Sequence, residues 1–283
     1  MITANGWKDY VLLDTGEGMK LEKWGEYTLA RPDPQVIWPR TKEWKKVDAY
    51  YERSKDGGGK WIENIPVAKQ WKIKWKDMVF ITKLMGFKHT GIFPEQAANW
   101  EWMMKRIGGY KGKFNVLNLF GYTGGATLAC AKAGARVVHV DASKGMTMQC
   151  KENAKLSGLG DARIHYIVDD AFKYVEREIR RGNIYQGIIM DPPSYGRGPN
   201  GQVWKIESGV FDLVESCSKL MDRTSDFMLI NSYTTGLQAT VMANILKMNI
   251  KLKGTVTADE IGLVQDKSDI ILPCGCFARW EAN

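Results

Sequence analysis

The chain has little of what metal sites and disulfide scaffolds require. It contains three histidines (His89, His139, His165) and five cysteines (Cys130, Cys150, Cys217, Cys274, Cys276), with no C-x-x-C pair. An odd number of scattered cysteines argues against a disulfide framework or a zinc site. No metal is therefore expected, and a reducing cytoplasm is the expected compartment. Long hydrophobic runs are also missing. The longest uncharged stretch, Phe227–Leu246, is interrupted by Asn231, Ser232, Thr234, Thr235, Gln238 and Asn244, which makes it a poor membrane span. The opening residues, Met-Ile-Thr-Ala-Asn-Gly-Trp, lack the charged start and apolar core of a secretory signal. A soluble chain is expected. No repeat or low-complexity tract is present, and an acidic excess is lacking too: the net charge is +8, which favours an anionic partner such as nucleic acid.

What is present is a globular composition, with 44% apolar and 25% charged residues among 283. This excludes disorder, collagen-like repeats and coiled coil. The length suits one large domain or two smaller ones, and the texture favours two. Seven of the 11 tryptophans (Trp7, Trp24, Trp38, Trp44, Trp61, Trp71, Trp75) fall within the first 90 residues. Those 90 residues carry 17 Lys and Arg against 12 Asp and Glu. Short alternating runs dominate there. Trp71–Lys76 reads as a period-2 strand with Trp71, Ile73 and Trp75 on one face and Lys72, Lys74 and Lys76 on the other. Asp-Gly-Gly-Gly at 56–59 reads as a loop between strands at 49–53 and 60–63. Residues 1–85 are expected to form a small Trp-rich β domain, and residues 86–283 a second domain.

In that second domain, strands and helices alternate. Strands are expected at 115–120, 136–141, 163–168, 186–191, 226–231, 250–257 and 274–280. Helices are expected from the Gly-rich turn to Gly134, from the N-cap Ser143 to about Leu156, and at about 171–181, 207–222 and 237–248. Alternating βα units imply a doubly wound, Rossmann-like α/β fold with a mostly parallel sheet. In such a sheet ligands sit beyond the carboxyl ends of the strands.

The informative residues lie at those ends. The first strand leads into Asn118-Leu-Phe-Gly-Tyr-Thr-Gly-Gly125, a turn that lets a ligand approach the backbone at the start of a helix. About 20 residues on, the second strand ends in Asp141, whose carboxylate could accept hydrogen bonds from both hydroxyls of a ribose. NAD-binding domains share that combination, but the spacing here is G-x-x-G-G, not G-x-G-x-x-G. A bland reading also exists, in which the glycines only pack a helix on the sheet. The third strand ends in Asp169-Asp170-Ala171-Phe172, which offers an adenine a carboxylate for its exocyclic amine and an aromatic for its face. The fourth ends in Asp191-Pro192-Pro193-Ser194-Tyr195, where two prolines force the chain out of the ladder at the crevice.

Together these residues resemble the class I S-adenosylmethionine-dependent methyltransferases. Upstream, Phe87-Lys-His-Thr-Gly-Ile-Phe-Pro-Glu-Gln96 resembles the K-x-T-G-x-F/Y-x-x-Q element of the I and K type 23S ribosomal RNA methyltransferases. The resemblance covers about residues 80–283. It implies a seven-stranded, mostly parallel sheet and S-adenosylmethionine as cofactor. It assigns Phe120, Gly121, Tyr122, Thr123 and Gly124 to the methionine end, Asp141 to the ribose, and Asp170, Ala171 and Phe172 to the adenine. Asn118 and Ser143 belong to the same cofactor set. Thr90, Phe93 and Gln96 would close over the cofactor from upstream. Asp191 and Pro192 would sit near the sulfonium, with Ser194 and Tyr195 facing the methyl acceptor.

Two departures bear on the substrate. C5 methylation of cytosine needs a thiolate nucleophile, and family members with that chemistry carry a cysteine after the fifth strand. Here that place reads Ile230-Asn-Ser-Tyr-Thr-Thr-Gly236. A nitrogen or oxygen acceptor fits better. The I type enzymes also carry an RNA-binding PUA domain ahead of the catalytic part, and the Trp-rich β domain could take its place. Its lysine stripe could touch phosphates, and the loop 196–205 could fold over a base with Arg197 and Trp204. A lysine-lined strand face is more usually a solvated or aggregation-blocking edge, and clustered tryptophans most often build a small domain's own core. The expected activity is methylation of a base nitrogen in ribosomal RNA, with RNA as partner. Methylation of a small molecule or protein, and a non-catalytic cofactor- or RNA-binding module, stay open on sequence alone.

Overall fold

The computed structural model describes residues 1–54, 58–197, 203–234 and 236–283. Residues 56–57 of the expected first loop, 198–202 of the expected substrate loop, and Thr235 lie outside the described residues, as does the side chain of Arg197. The chain forms two compact units. One is Thr3–Ala98 with Gly262–Pro273, and the other is Met1–Ile2, Asn99–Ile261 and Cys274–Asn283.

The first unit closes at Ala98, later than the change of texture at 85. The reason is local bonding: the Trp7 indole donates to the Pro94 carbonyl at 2.9 Å, and Arg31 donates to the Lys88 carbonyl at 3.0 Å. After β1 (Ile2–Thr3) come β2 (Tyr10–Gly16), β3 (Met19–Trp24), β4 (Tyr27–Pro32), β5 (Ala49–Arg53) and β6 (Gly59–Glu63). Strands β2 to β6 form one sheet in sequence order, antiparallel except where β4 and β5 run parallel. The hairpin β7 (Trp71–Trp75) and β8 (Met78–Thr82) forms a second sheet. Alternation in β7 is as the sequence implies, with Trp71, Ile73 and Trp75 buried and Lys72 and Lys74 exposed. Lys76 leaves the stripe. It sits at φ 51° in the two-residue turn between Trp75 and Met78, and its ammonium lies 4.7 Å from the Trp75 ring centroid. The tryptophans do build the core here: Trp24 and Trp75 are fully buried with Phe80 and Ile73. A charged pair is buried there too. Arg31 grips Glu22 through two N–H donors at 2.6 and 2.7 Å, and the Tyr10 hydroxyl donates to the same carboxylate at 2.8 Å.

The second unit takes up the chain within α1 (Ala97–Gly109), from Asn99. It continues β9 (Asn115–Leu119), α2 (Gly125–Lys132), β10 (Arg136–Asp141), α3 (Lys144–Leu156), β11 (Ile164–Val168), α4 (Ala171–Arg181) and β12 (Gly187–Met190). A short ribbon follows, β13 (Tyr195–Arg197) with β14 (Val203–Lys205). Then come α5 (Ile206–Ser218), β15 (Phe227–Ser232), α6 (Ala239–Asn249), β16 (Gly254–Val264) and β17 (Ile271–Ala282). The sheet order is β1-β16-β17-β15-β12-β9-β10-β11. Strands β11, β10, β9, β12 and β15 run parallel, and β17 is antiparallel to β15. The sheet thus has eight strands where seven were expected. The additional one is β1, two residues long and too short to show a period; Met1 is held beside it by an ion pair between its ammonium and Asp259.

One face of the sheet carries Leu117, Leu119, Ile188, Met190, Met228 and Ile230, all without solvent exposure, against Val175, Val210, Leu213, Val214, Met242 and Leu246 of α4, α5 and α6. Each such side chain contributes ~1.5–3 kcal/mol of burial. The connection reverses between β9 and β12: β10 and β11 lie on one side, β12 and β15 on the other. Such a switch point is where open α/β sheets bind their ligands, outside the carboxyl ends of the strands.

Candidate cofactor and acceptor site

The parallel registers bring the strand ends level. Leu119 pairs with Val140 on one side and Met190 on the other, and Asp141 pairs with Val168. Residues following β9, β10, β11 and β12 therefore share one edge. The turn after β9 is unusual in its backbone. Phe120, Tyr122 and Gly124 have φ of 55°, 49° and 93°, so two non-glycine residues occupy the left-handed region. Such conformations cost ~1–3 kcal/mol each and persist only where surrounding structure fixes them.

That fixing is visible. The Gly121 amide donates to the Val140 carbonyl at 3.0 Å, and the Tyr122 amide to Asp141 Oδ2 at 2.8 Å. The two glycines answer to packing. A Cβ on Gly121 would lie 2.3 Å from the His139 ring, and one on Gly124 would lie 2.2 Å from Cys150 Sγ. Packing thus calls for glycine at both positions, because the turn sits directly on buried side chains of β10 and α3. Gly124 also caps α2, which starts at Gly125.

Asn118 and Thr123 lie beneath the turn. The buried Asn118 carboxamide donates to Thr127 Oγ1 at 2.9 Å, and that hydroxyl meets His139 Nδ1 at 2.8 Å. Burial lowers His139 to about 4, so the ring is neutral. The Thr123 carbonyl accepts from Asn153 at 2.9 Å. These contacts hold the turn from inside.

Asp141 stands at the end of β10. Oδ2 accepts the Tyr122 amide, and Oδ1 accepts the Ser143 amide at 2.8 Å. Ser143 in turn caps α3, its hydroxyl accepting from the Met146 amide. Burial raises the Asp141 carboxyl above its ordinary value, and the two amides act in the opposite direction. A carboxylate has about four acceptor positions, so two amides leave one on each oxygen. A vicinal diol supplies two donors with matching separation. Asp170 is the N-cap of α4: Oδ1 accepts the Lys173 amide at 3.1 Å, leaving acceptor capacity on a half-buried carboxylate. Its neighbour Asp169 is engaged by an ion pair with Arg177. Ala171 is buried, and Phe172 opens α4 half-buried.

Asp191 follows β12 and is half-buried, Pro192 is buried, and Pro193, Ser194 and Tyr195 are exposed, Tyr195 by 51%. Ser194 and Thr234 hydroxyls meet at 2.5 Å, joining the exits of β12 and β15. Trp204, which could fold over a base, is half-buried and packs in part against protein groups. Its ring lies 5.4 Å from Phe120 and 5.9 Å from Phe172, and its indole donates to the Pro193 carbonyl at 2.6 Å. Sequence reading missed these contacts because none of them is local in sequence.

Thr90, Phe93 and Gln96 belong to the first unit. There the chain passes through Phe87 and Lys88 at φ 55° and 64° before reaching them. Thr90 and Gln96 are buried, and the half-buried Phe93 ring packs edge-on to His89 at 5.4 Å. The buried Thr90 hydroxyl has no hydrogen-bond partner, a group that a bound ligand would satisfy. The acceptor positions left on Asp141 fit the diol of a nucleoside cofactor. Among the described residues, no cluster of His, Cys, Asp or Glu could hold a metal ion, and no helix is long and apolar enough to cross a membrane.

The sheet order, with its reversed β17 and its switch point between β9 and β12, defines a class I methyltransferase fold. Residues 30–206 match the family model of S-adenosylmethionine-dependent methyltransferases. The crystal structure of a SAM-dependent methyltransferase from Agrobacterium tumefaciens superposes with a TM-score of 0.94 at 33% identity, covering 99% of this chain and 92% of that one. The chain belongs to the S-adenosylmethionine-dependent methyltransferase family, and S-adenosylmethionine is its cofactor. Similarity extends to ribosomal RNA large subunit methyltransferase I of Aeromonas salmonicida, 34% identical over 107 residues, 38% of this chain. It extends also to ribosomal RNA large subunit methyltransferase K/L of Shewanella frigidimarina, 29% identical over 156 residues, 54% of this chain. The matches span only 26% and 21% of those two relatives.

Proposed function

We propose that the chain transfers a methyl group from S-adenosylmethionine to a ring nitrogen of a base in ribosomal RNA. The observation that carries the reading is the shared edge at the switch point, where Asp141, Asp170 and the Asp191-Pro-Pro-Ser-Tyr195 segment follow strands held level by their registers. In this reading Asp141 accepts the ribose hydroxyls and Asp170 the adenine amine, beside Ala171 and Phe172. Phe120 to Gly124 surround the methionine end. Asn118 and Ser143 act by holding the turn and Asp141 in place.

The bound cofactor supplies a methyl group already attached to a good leaving group. The protein's part is then placement: holding an acceptor about 3 Å from that methyl, in line, supplies most of the rate, and no general base is obligatory. Asp191 and Pro192 place the acceptor at the crevice. Ser194, fixed by Thr234, and the exposed Tyr195 offer it a hydroxyl and a ring face. A nitrogen acceptor is supported by the state of the cysteines. Burial pushes the Cys276 thiol, which lies opposite Ser232 at the end of β15, up to about 11, and raises Cys217 further. Neither supplies the thiolate that carbon methylation needs. The choice of ribosomal RNA rests on the two named relatives and on the net charge of +8.

The test is incubation with methyl-labelled S-adenosylmethionine and fractionated lysate from cells lacking the gene. Label in large-subunit ribosomal RNA, found on a base nitrogen by nucleoside chromatography, is the expected result. Label confined to protein or small molecules would retire the RNA substrate and leave the cofactor assignment in place.

A further inference from the structure

We infer that Trp204 is a positioning residue that sets the acceptor-side segment Asp191–Tyr195 against the cofactor-side aromatics Phe120 and Phe172. The inference rests on the cofactor reading proposed above and adds to it a link between the two halves of the site.

Three kinds of contact fix the indole. Its N–H donates to the Pro193 carbonyl at 2.6 Å, across the antiparallel ribbon in which Gly196 pairs with Trp204. Its six-membered ring lies on α5 where only a hydrogen fits: a Cβ on Gly209 would be 2.7 Å from the nearest ring carbon. Its faces and edges meet Phe120 at 5.4 Å and 45°, and Phe172 at 5.9 Å and 52°. Phe120 follows β9 and Phe172 opens α4, so one side chain touches groups from three separate strand exits.

Each contact has its own physical consequence. Pro192 and Pro193 have no N–H, so at these two residues the stiff backbone can be anchored only through carbonyls. The indole N–H is a donor aimed at one of them. Phe120 is held at φ 55°, which restricts where its ring can go, and Trp204 packs against that ring. A cofactor that moves Phe120 or Phe172 would therefore be felt at Pro193, one residue from Ser194 and two from Tyr195.

Two substitutions test this role. Trp204→Phe keeps an aromatic ring and removes the donor. Gly209→Ala removes no group and adds a methyl that displaces the indole, in a helix where alanine is otherwise favoured. Calorimetry with S-adenosylhomocysteine, intrinsic fluorescence with the same ligand, and methyl transfer to RNA from the gene-deleted cells are the readouts. In Trp204→Phe, affinity for S-adenosylhomocysteine stays within about threefold, the ligand-induced fluorescence change loses most of its amplitude, and kcat falls about tenfold with KM for S-adenosylmethionine unchanged. In Gly209→Ala, kcat falls in the same way without loss of thermal stability. Wild-type fluorescence response and wild-type kcat in both variants would overturn the inference alone. Failure of the unmodified chain to bind S-adenosylhomocysteine would overturn the cofactor reading, and this inference with it.

Discussion

Replacing Asp141 by alanine tests the cofactor assignment at its most exposed point. The side chain accepts two backbone amides at 2.8 Å and keeps one acceptor position on each oxygen. A ribose diol filling both would form two hydrogen bonds to an ion, each worth ~1.5–3 kcal/mol before the freed hydroxyls return to water. Water recovers part of this, so the expected loss is ~1–3 kcal/mol, or about 5- to 150-fold in Kd. Calorimetry with S-adenosylhomocysteine reads that number. The substitution also strips an acceptor from Tyr122 and Ser143, so a loosened turn could mimic a lost contact. Comparing adenosine with 2′,3′-dideoxyadenosine separates the two effects. The unmodified protein is expected to prefer adenosine by the same factor, and Asp141→Ala to show no preference. If the variant still discriminates, or binds S-adenosylhomocysteine within twofold of the parent, Asp141 does not hold the ribose.

Two further outcomes follow from the packing beneath the turn. Gly124→Ala places a Cβ 2.2 Å from Cys150 Sγ at φ 93°, so overpacking and backbone strain combine to a loss of ~2–4 kcal/mol in urea unfolding; Cys150→Ala in the same chain restores part of it, and no restoration would refute the clash. Acid weakens the fold through His89 and His139, both lowered to about 4 by burial, with nearby cations also acting on His89. Their folded values lie below the ordinary 6.5, so stability is full above 6.5 and lost as pH falls toward 4, by ~3 kcal/mol for a fully buried ring. Denaturation midpoints that stay flat from pH 7 to 4.5 would show that these rings are not buried neutral.

The catalytic unit was largely legible because its signals are local. Ile188, Ile189 and Met190 form an apolar run ended by Asp191-Pro-Pro, and Ser143 caps α3 with Asp141 two residues ahead. Strand, cap and acid each depend on neighbours in sequence. The turn glycines were legible as a turn but not in their cause. Their constraint comes from His139 and Cys150, a strand and a helix further on, and no pattern within the turn encodes what lies beneath it. The buried network in which Arg279 donates to Asn99, and Asn99 to Asn231, was invisible for the same reason, since it joins residues 180 and 132 positions apart. Trp204 shows a subtler limit. A tryptophan beside a glycine-rich loop next to an acceptor motif suggests an exposed ring, and only the notch at Gly209, together with Phe120 and Phe172, turns it toward the protein.

The path of the chain has a consequence for anyone wishing to take the molecule apart. The backbone passes between the two compact units four times, after Ile2, Ala98, Ile261 and Pro273. The segment Gly262–Pro273 is stitched into the β-rich unit by the Thr15 hydroxyl on Gln265 at 2.7 Å and the Asp266 amide on the Leu12 carbonyl at 2.8 Å. Neither unit is a bead on a string. A cut at Ala98 leaves the methyltransferase fragment carrying twelve residues whose bonding partners have been discarded, and leaves the β-rich fragment without them. Excising the smaller unit cleanly calls for four breaks and two new links, Ile2 to Asn99 and Ile261 to Cys274, so its role is better approached by point substitution than by truncation.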